Sequence, residues 1–376
     1  MLILAALRRS CSSVRGDRGA VYPALQQGIP MNTSRSCACA AFFAAGVLAL
    51  GSPAFAQTPP TAAPAPAPAP KAAPAPAPAA APKAAPAPAA AATKPAATKP
   101  VAIQSRFAEV NGVKLHYLTA GQGTPVLLIH GYAQTSHMWK PLIAKLAVTH
   151  QVIAPDLRGF GQSAKPATGY DKKTLAQDIH ALVTSLGIKQ IAIAGHDIGL
   201  MVAYAYAAQY PTEVTKIALM DAFLPGVGDW TTVWLLRDLW HFHFYGKTPL
   251  ALVKGRERTY LEHFWNDFAA DPTHSVSEAD RRVYAAAYAQ PGAIAAGFEV
   301  FKAFEQDSKD FAGFAKTKLT IPMLVLSGEK AGGQFLITQG KLVDSNVEGV
   351  LITGSGHWLV DEAPEQTLPR LLAFFQ

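Results

Sequence analysis

Cysteine is scarce in this chain of 376 residues: there are three, Cys11, Cys37 and Cys39, and none follows residue 39. Disulfides, thiol nucleophiles and cysteine metal sites are therefore excluded from everything downstream, and stability there must come from packing. Aromatic residues are missing from Gln57 to Pro100, which is almost entirely Ala, Pro, Thr and Lys with repeated Ala-Pro pairs. Such a stretch buries too little apolar surface to offset the entropy of ordering, so an extended, polyproline-like linker is expected at 57–100. At about 3.1 Å per residue it would reach on the order of 130 Å. Also missing is any apolar run long enough to span a bilayer. Met31 to Ala56 instead reads as a secretory signal, with Arg35 at its start, an apolar Ala40–Leu50 and a small-x-small cleavage site at Ala54-Phe55-Ala56. Residues 1–30 have no place in such a signal and are expected to be a non-native extension upstream of a start at Met31. The expected location is outside the cytoplasm, periplasmic or secreted.

Charge of one sign is lacking where a fold is expected. Nine of the 33 basic residues but only one of the 26 acids precede Val101, leaving 24 basic and 25 acidic residues in 101–376. The high overall pI belongs to the leader and linker, and the folded part gives no reason to expect a nucleic-acid partner.

From residue 107 onward, strand and helix patterns alternate. Phe107–Val110 and Val113–Ala120 flank Asn111-Gly112, a two-residue hairpin signal. Apolar strands are expected at 125–129, 151–155, 190–194, 216–220, 323–326 and 347–352, with helices at 172–186, 201–210 and 363–375 among those between and after them. Buried strands separated by helices predict an α/β fold, a mostly parallel sheet flanked by helices. The rhythm breaks at 224–316, which is rich in aromatics and helix formers and reads as a helical cap inserted between core segments 101–223 and 317–376.

The chemistry gathers in the turns. Gly195-His196-Asp197-Ile198-Gly199 lies between a buried strand and a helix, the setting of a nucleophile elbow, whose tight turn needs small flanking residues and thrusts the central side chain outward. A carboxylate there can displace a leaving group from sp³ carbon and form an alkyl ester, which water must then hydrolyse. That second step needs a general base, assigned to His357 in Gly354-Ser355-Gly356-His357-Trp358, and an acid to orient it. Two acids compete for the last role, Asp221 after the strand that follows the elbow and Glu329 after the strand before last; Asp221 is preferred. The backbone N–H groups of Tyr132 and Ile198 are the expected oxyanion donors. His241 and His243 could suggest a metal pair, but no third ligand is evident, so neither metal nor cofactor is expected.

His130-Gly131-Tyr132, Asp156-Leu157-Arg158-Gly159-Phe160-Gly161-Gln162-Ser163 and the 195–199 elbow resemble the epoxide hydrolase and haloacetate dehalogenase branch of the α/β-hydrolases, its secreted epoxide hydrolases above all. The likeness extends over 101–376. It implies an α/β-hydrolase fold, an acid 24 residues after the nucleophile (Asp221) and a cap histidine, His241 in Trp240-His241-Phe242, that donates to the opening epoxide. In the family a cap tyrosine shares that donation; its place here is taken by Phe301, so His241 acts alone or with Tyr284, Tyr288 or Tyr245. Haloacetate dehalogenases place arginine, and haloalkane dehalogenases tryptophan, after the nucleophile; Ile198 matches neither. The resemblance thus implies an uncharged apolar epoxide opened to a vicinal diol, with dehalogenation of a halogenated small molecule, and a secreted binding or effector protein, as alternatives. Trp240, Phe301 and Trp358 are expected at the substrate pocket. Trp230, Trp234, Phe244 and Trp240 itself fit equally as pocket lining or as packing between cap and core. A homodimer is left open.

Overall fold

A computed structural model describes residues 101–376; the upstream extension, signal and linker expected over 1–100 lie outside the described residues. Eight strands form one sheet: β1 (Gln104–Val110), β2 (Val113–Ala120), β3 (Thr124–Ile129), β4 (His150–Pro155), β5 (Ile191–His196), β6 (Val214–Met220), β7 (Met323–Gly328) and β8 (Val347–Ile352). Their order is β1-β2-β4-β3-β5-β6-β7-β8. β1 and β2 pair antiparallel around Asn111-Gly112, with Val110 opposite Val113. Both turn residues have positive φ, 50° and 72°, as a type I′ hairpin turn requires. β2 is antiparallel to β4, and β4, β3, β5, β6, β7 and β8 then run parallel.

The central strands are continuous apolar runs because both faces are covered. β5 and β7 are buried at every position, as expected for parallel strands between two helical layers. Helix Lys140–Leu146 packs with Pro364–Phe375, whereas Lys172–Ser185 packs with Ile198–Gln209. Helix Ile198–Gln209 is buried along nearly its whole length, Ile198 to Ala207, so its apolar character is not confined to one stripe. Its start three residues ahead of the expected 201 and the extension of β5 to His196 have one cause: the turn between them is a single residue, Asp197, which a periodicity reading spreads over several.

The chain steps from β3 outward to β4, then back across β3 to β5. That reversal falls between β3 and β5, and in such sheets functional groups gather at the carboxyl ends of the strands beside the reversal. Between β6 and β7, the chain runs through six helices, Thr231–Trp234, Lys247–Val253, Glu257–Asp267, Glu278–Tyr288, Ala293–Lys302 and Phe304–Phe314, with a 3₁₀ segment at Arg237–His243. A buried ion pair links these to the core: Lys172 Nζ lies 2.7 Å from Asp307 Oδ2, donates to the Val300 carbonyl and sits over the Phe304 ring.

Candidate active site

Asp197 follows β5 with φ 54° and ψ −128°, a conformation that strains any residue with a Cβ. The strain is tolerated because the neighbouring turns have no room for alternatives. A Cβ on Gly195 would lie 2.1 Å from the Gly199 carbonyl oxygen, and one on Gly199 would lie 2.3 Å from the Ile129 oxygen. Gly131, after β3, is pressed as closely against Asp197, whose Cβ is 2.4 Å from where its own would stand. These three glycines bring the loop after β3 onto the carboxylate.

The Tyr132 N–H donates to Asp197 Oδ1 at 2.6 Å, and the Ile198 N–H also faces this carboxylate. On the other side, His357 Nε2 lies 3.6 Å from Asp197 Oδ2. This is too far for a hydrogen bond, but close enough for one imidazole and one carboxylate to feel each other's charge. His357 Nδ1 is 2.9 Å from Asp221 Oδ1. Asp221 Oδ2 accepts from the N–H groups of Gly328, at 2.6 Å, and Gly332, which fixes the carboxylate and leaves Oδ1 for the ring. Of the two acids weighed from the sequence, it is Asp221 that lies against His357. Glu329 instead accepts from the Gly354 N–H. Asp221 follows β6, Asp197 follows β5, Tyr132 follows β3 and His357 follows β8, so the loops at the strand ends deliver every member.

Burial pushes the Asp197 carboxyl above its ordinary pKa, opposed by the His357 charge and the Tyr132 and Ile198 N–H groups. About 21% of its side chain stays accessible, which softens the first effect. For His357, burial pulls downward, but the hydrogen bond and charge of Asp221, with the charge of Asp197, outweigh it and hold the pKa above 6.5.

Three supporting residues were not foreseen. His196, inside the elbow motif, bonds through Nε2 to the His357 carbonyl oxygen at 2.8 Å. Glu362 accepts from the N–H groups of Gly356 and Trp358 and from that of Ala270. The His357 backbone N–H donates to the Phe268 carbonyl, so the histidine loop is stitched to the cap. His196 stood beside the expected nucleophile and could have been weighed. Glu362 carried no signal, because its partners are backbone groups brought to it only by folding.

The cap side is aromatic. His241, 4% exposed, is faced by Phe264, Phe268 and Phe301 with ring centroids 4.8, 5.3 and 5.2 Å away. Burial first, then the charges of His263, His357 and His243, hold its pKa well below 6.5. Phe301 also touches the Tyr132 ring. Of the candidate tyrosines, Tyr288 packs on Tyr132, Tyr284 lies apart against His137 and Trp265, and Tyr245 is half-buried without such ring contacts. Tyr260, not considered from the sequence, approaches the Tyr132 hydroxyl. Trp358 backs the His357 ring at 4.8 Å and donates its indole N–H to the Phe264 carbonyl. Trp240 takes the packing alternative over the pocket-lining one: it is 40% exposed and covers His263, because the 3₁₀ segment, at three residues per turn, sets Arg237, Trp240 and His243 on its outward side. Trp230, Trp234 and Phe244 pack against other aromatics. His243 bonds to the Trp234 carbonyl, so it and His241 point to different partners.

With this geometry in view, the comparisons with known proteins fall into line. Residues 124–364 match the alpha/beta hydrolase fold family. The chain is 33% identical over 275 residues to the soluble epoxide hydrolase of a Corynebacterium species, covering 71% of this chain and 96% of that protein. To the fluoroacetate dehalogenase of a Burkholderia species it is 26% identical over 290 residues, covering 72% and 93%. The solved structure of the epoxide hydrolase CorEH superposes with a TM-score of 0.67 at 32% identity, covering 73% of this chain and 99% of that one. The chain therefore belongs to the α/β-hydrolase fold family. Within it, the protein is an enzyme of the epoxide hydrolase-like kind, a hydrolase of small molecules.

Proposed function

We infer that the protein opens an uncharged apolar epoxide to a vicinal diol through an ester on Asp197. The observation that carries this reading is a carboxylate, not a hydroxyl, at the strained turn, with His357 3.6 Å from it and Asp221 behind. Asp197 attacks a ring carbon, the C–O bond breaks, and His241 supplies the proton that the departing oxygen takes. His357 then removes a proton from water attacking the ester carbonyl, while the Tyr132 and Ile198 N–H groups stabilise the tetrahedral oxyanion. Asp221 holds the imidazole in the required tautomer and stabilises its cation.

The rings around His241 support an apolar substrate. Phe264, Phe268 and Phe301 offer apolar surface, and the nearest buried cation, Lys172, is committed to Asp307 and the Val300 carbonyl. Among the described residues, no lysine or arginine is left free beside Asp197 to receive a haloacid's carboxylate. The retained base and acid likewise argue against a pure binding protein. We also take the chain to be exported, on the signal-like Met31–Ala56.

Trapping tests the reading. His357→Gln should accumulate an adduct on Asp197 equal to the whole mass of an added aryl or alkyl epoxide, read by intact-protein and peptide mass spectrometry. Adducts from haloacids with halide release, and none from epoxides, would replace this reading with dehalogenation.

A further inference from the structure

His241 is badly placed to carry its own charge. Aromatic rings surround it, and no carboxylate touches it among the described residues. The titratable groups that face it are His263 from helix Glu257–Asp267, His357 from the loop after β8, and His243 from its own segment. A neutral imidazole that gave its one N–H to an alkoxide would be left as an imidazolate, which an apolar site cannot support.

The missing carboxylate stands one residue further out. His263 Nε2 is 3.4 Å from His241 Nδ1, and His263 Nδ1 is 2.7 Å from Asp267 Oδ2. Exposure increases along the row, from 4% for His241 to 12% for the His263 side chain and 63% for that of Asp267. The tilted Trp240 indole shields the His263 face. His241 Nε2 makes no hydrogen bond to the protein among the described residues, leaving it free for a substrate oxygen.

We propose that Asp267, His263 and His241 form a proton relay from the cap surface to the opening epoxide, with the charge held on His263. This rests on the epoxide reading above. Before reaction, His263 carries both ring protons, one donated to Asp267 and one to His241 Nδ1, and His241 carries its proton on Nε2. Asp197 forms its bond to carbon, and the pair from the breaking C–O bond goes to oxygen. That oxygen takes the His241 Nε2 proton as His241 Nδ1 takes the inner His263 proton. The negative carboxylate and the imidazolium are thereby consumed together, leaving a neutral ester and two neutral imidazoles. One water then hydrolyses the ester, placing one hydrogen on the diol; the other reaches His241 Nε2 as His241 Nδ1 hands its proton back to His263, which restores both rings. Asp267 and His263 are positioning residues here; neither touches substrate.

The relay is tested in the full chain carrying His357→Gln, where ester formation on Asp197 is followed by intact mass from about pH 5 to about pH 9. Two probes are used, styrene oxide and a primary alkyl bromide, whose leaving group needs no proton. Asp267→Asn, at an exposed site that should fold, is expected to slow epoxide opening about tenfold at neutral pH and to shift its pH profile toward acid, leaving bromide displacement unchanged. His263→Phe should do the same more strongly, and His263→Gln guards against loss of packing. An unchanged epoxide pH profile in Asp267→Asn, or equal losses on both probes in all three variants, overturns the relay. If the His357→Gln parent itself forms no adduct with epoxide but does with bromide, the functional reading fails instead.

Discussion

In the core, His357 stands between two carboxylates, Asp221 at 2.9 Å and Asp197 at 3.6 Å; in the cap, His241 is packed among phenylalanines with only another histidine beside it. Both rings are largely buried, yet their proton affinities are pushed in opposite directions. Burial disfavours charge in each, and the neighbouring carboxylates decide the outcome. The core thus favours an imidazolium at His357 and the cap a neutral ring at His241, which on the proposed reading suits a base in one place and a donor in the other. The difference also tracks architecture: core groups hang from strand ends fixed by sheet hydrogen bonds, and cap groups lie on short helices that hold one another through ring contacts.

The largest expected effect tests the core half of this contrast at its centre. Asp197→Ala should lower turnover by about 10⁴-fold or more. Its folded-state pKa is raised, so the ionised carboxylate weakens the fold near neutral pH, and the variant should melt no lower than the parent. A fall in both activity and melting temperature would show the residue to be structural. Next, Lys172→Met strands Asp307 without its buried partner and should cost about 3–5 kcal/mol in urea unfolding. Lys172→Met with Asp307→Leu should recover most of it; no recovery would mean the pair does not couple cap to core as its geometry implies.

Asp221→Asn should slow ester hydrolysis about 10²–10⁴-fold while ester formation persists, so the adduct accumulates in a stopped reaction. The same dyad predicts a divergence with pH. A raised folded pKa on His357 contributes stability that is complete below its ordinary value of about 6.5 and is lost as pH rises through the folded pKa. A general base works only when neutral, so ester hydrolysis should rise over the same window in which the melting temperature falls. Parallel movement of the two would break the assignment. The smallest effect concerns the cap. Phe301→Tyr would set a hydroxyl near His241 and Tyr132 and should speed ester formation from an epoxide about tenfold, measured in the His357→Gln background; a slower reaction would mean that the new hydroxyl is buried without a partner.

The core half was readable in advance to a degree the cap was not. A strand–turn–helix around Gly195–Gly199 is a local pattern, so Asp197 at the apex of the turn could be expected from adjacent residues alone. The acid was harder: Asp221 and Glu329 both follow strands, and what separates them is the pair of N–H groups from Gly328 and Gly332 that converge on Asp221. In the cap, Trp240 and His241 are neighbours in sequence and equal in promise, yet one is 40% and the other 4% exposed. A seven-residue 3₁₀ segment broken at Leu239 is too short and irregular for its three-residue period to be read from sequence.

Sequence by itself determined the strand-and-helix alternation, the hairpin at Asn111-Gly112, the elbow and the placing of a histidine after the last strand, because each depends on residues within one turn or one strand of each other. Tertiary structure alone decided which acid meets His357, which rings enclose His241, and that the His263–Asp267 pair, itself local at four residues' spacing on one helix, stands behind it. Those outcomes depend on side chains separated by tens of residues, whose distances are set by how the helices between β6 and β7 pack, and no local spacing encodes that packing.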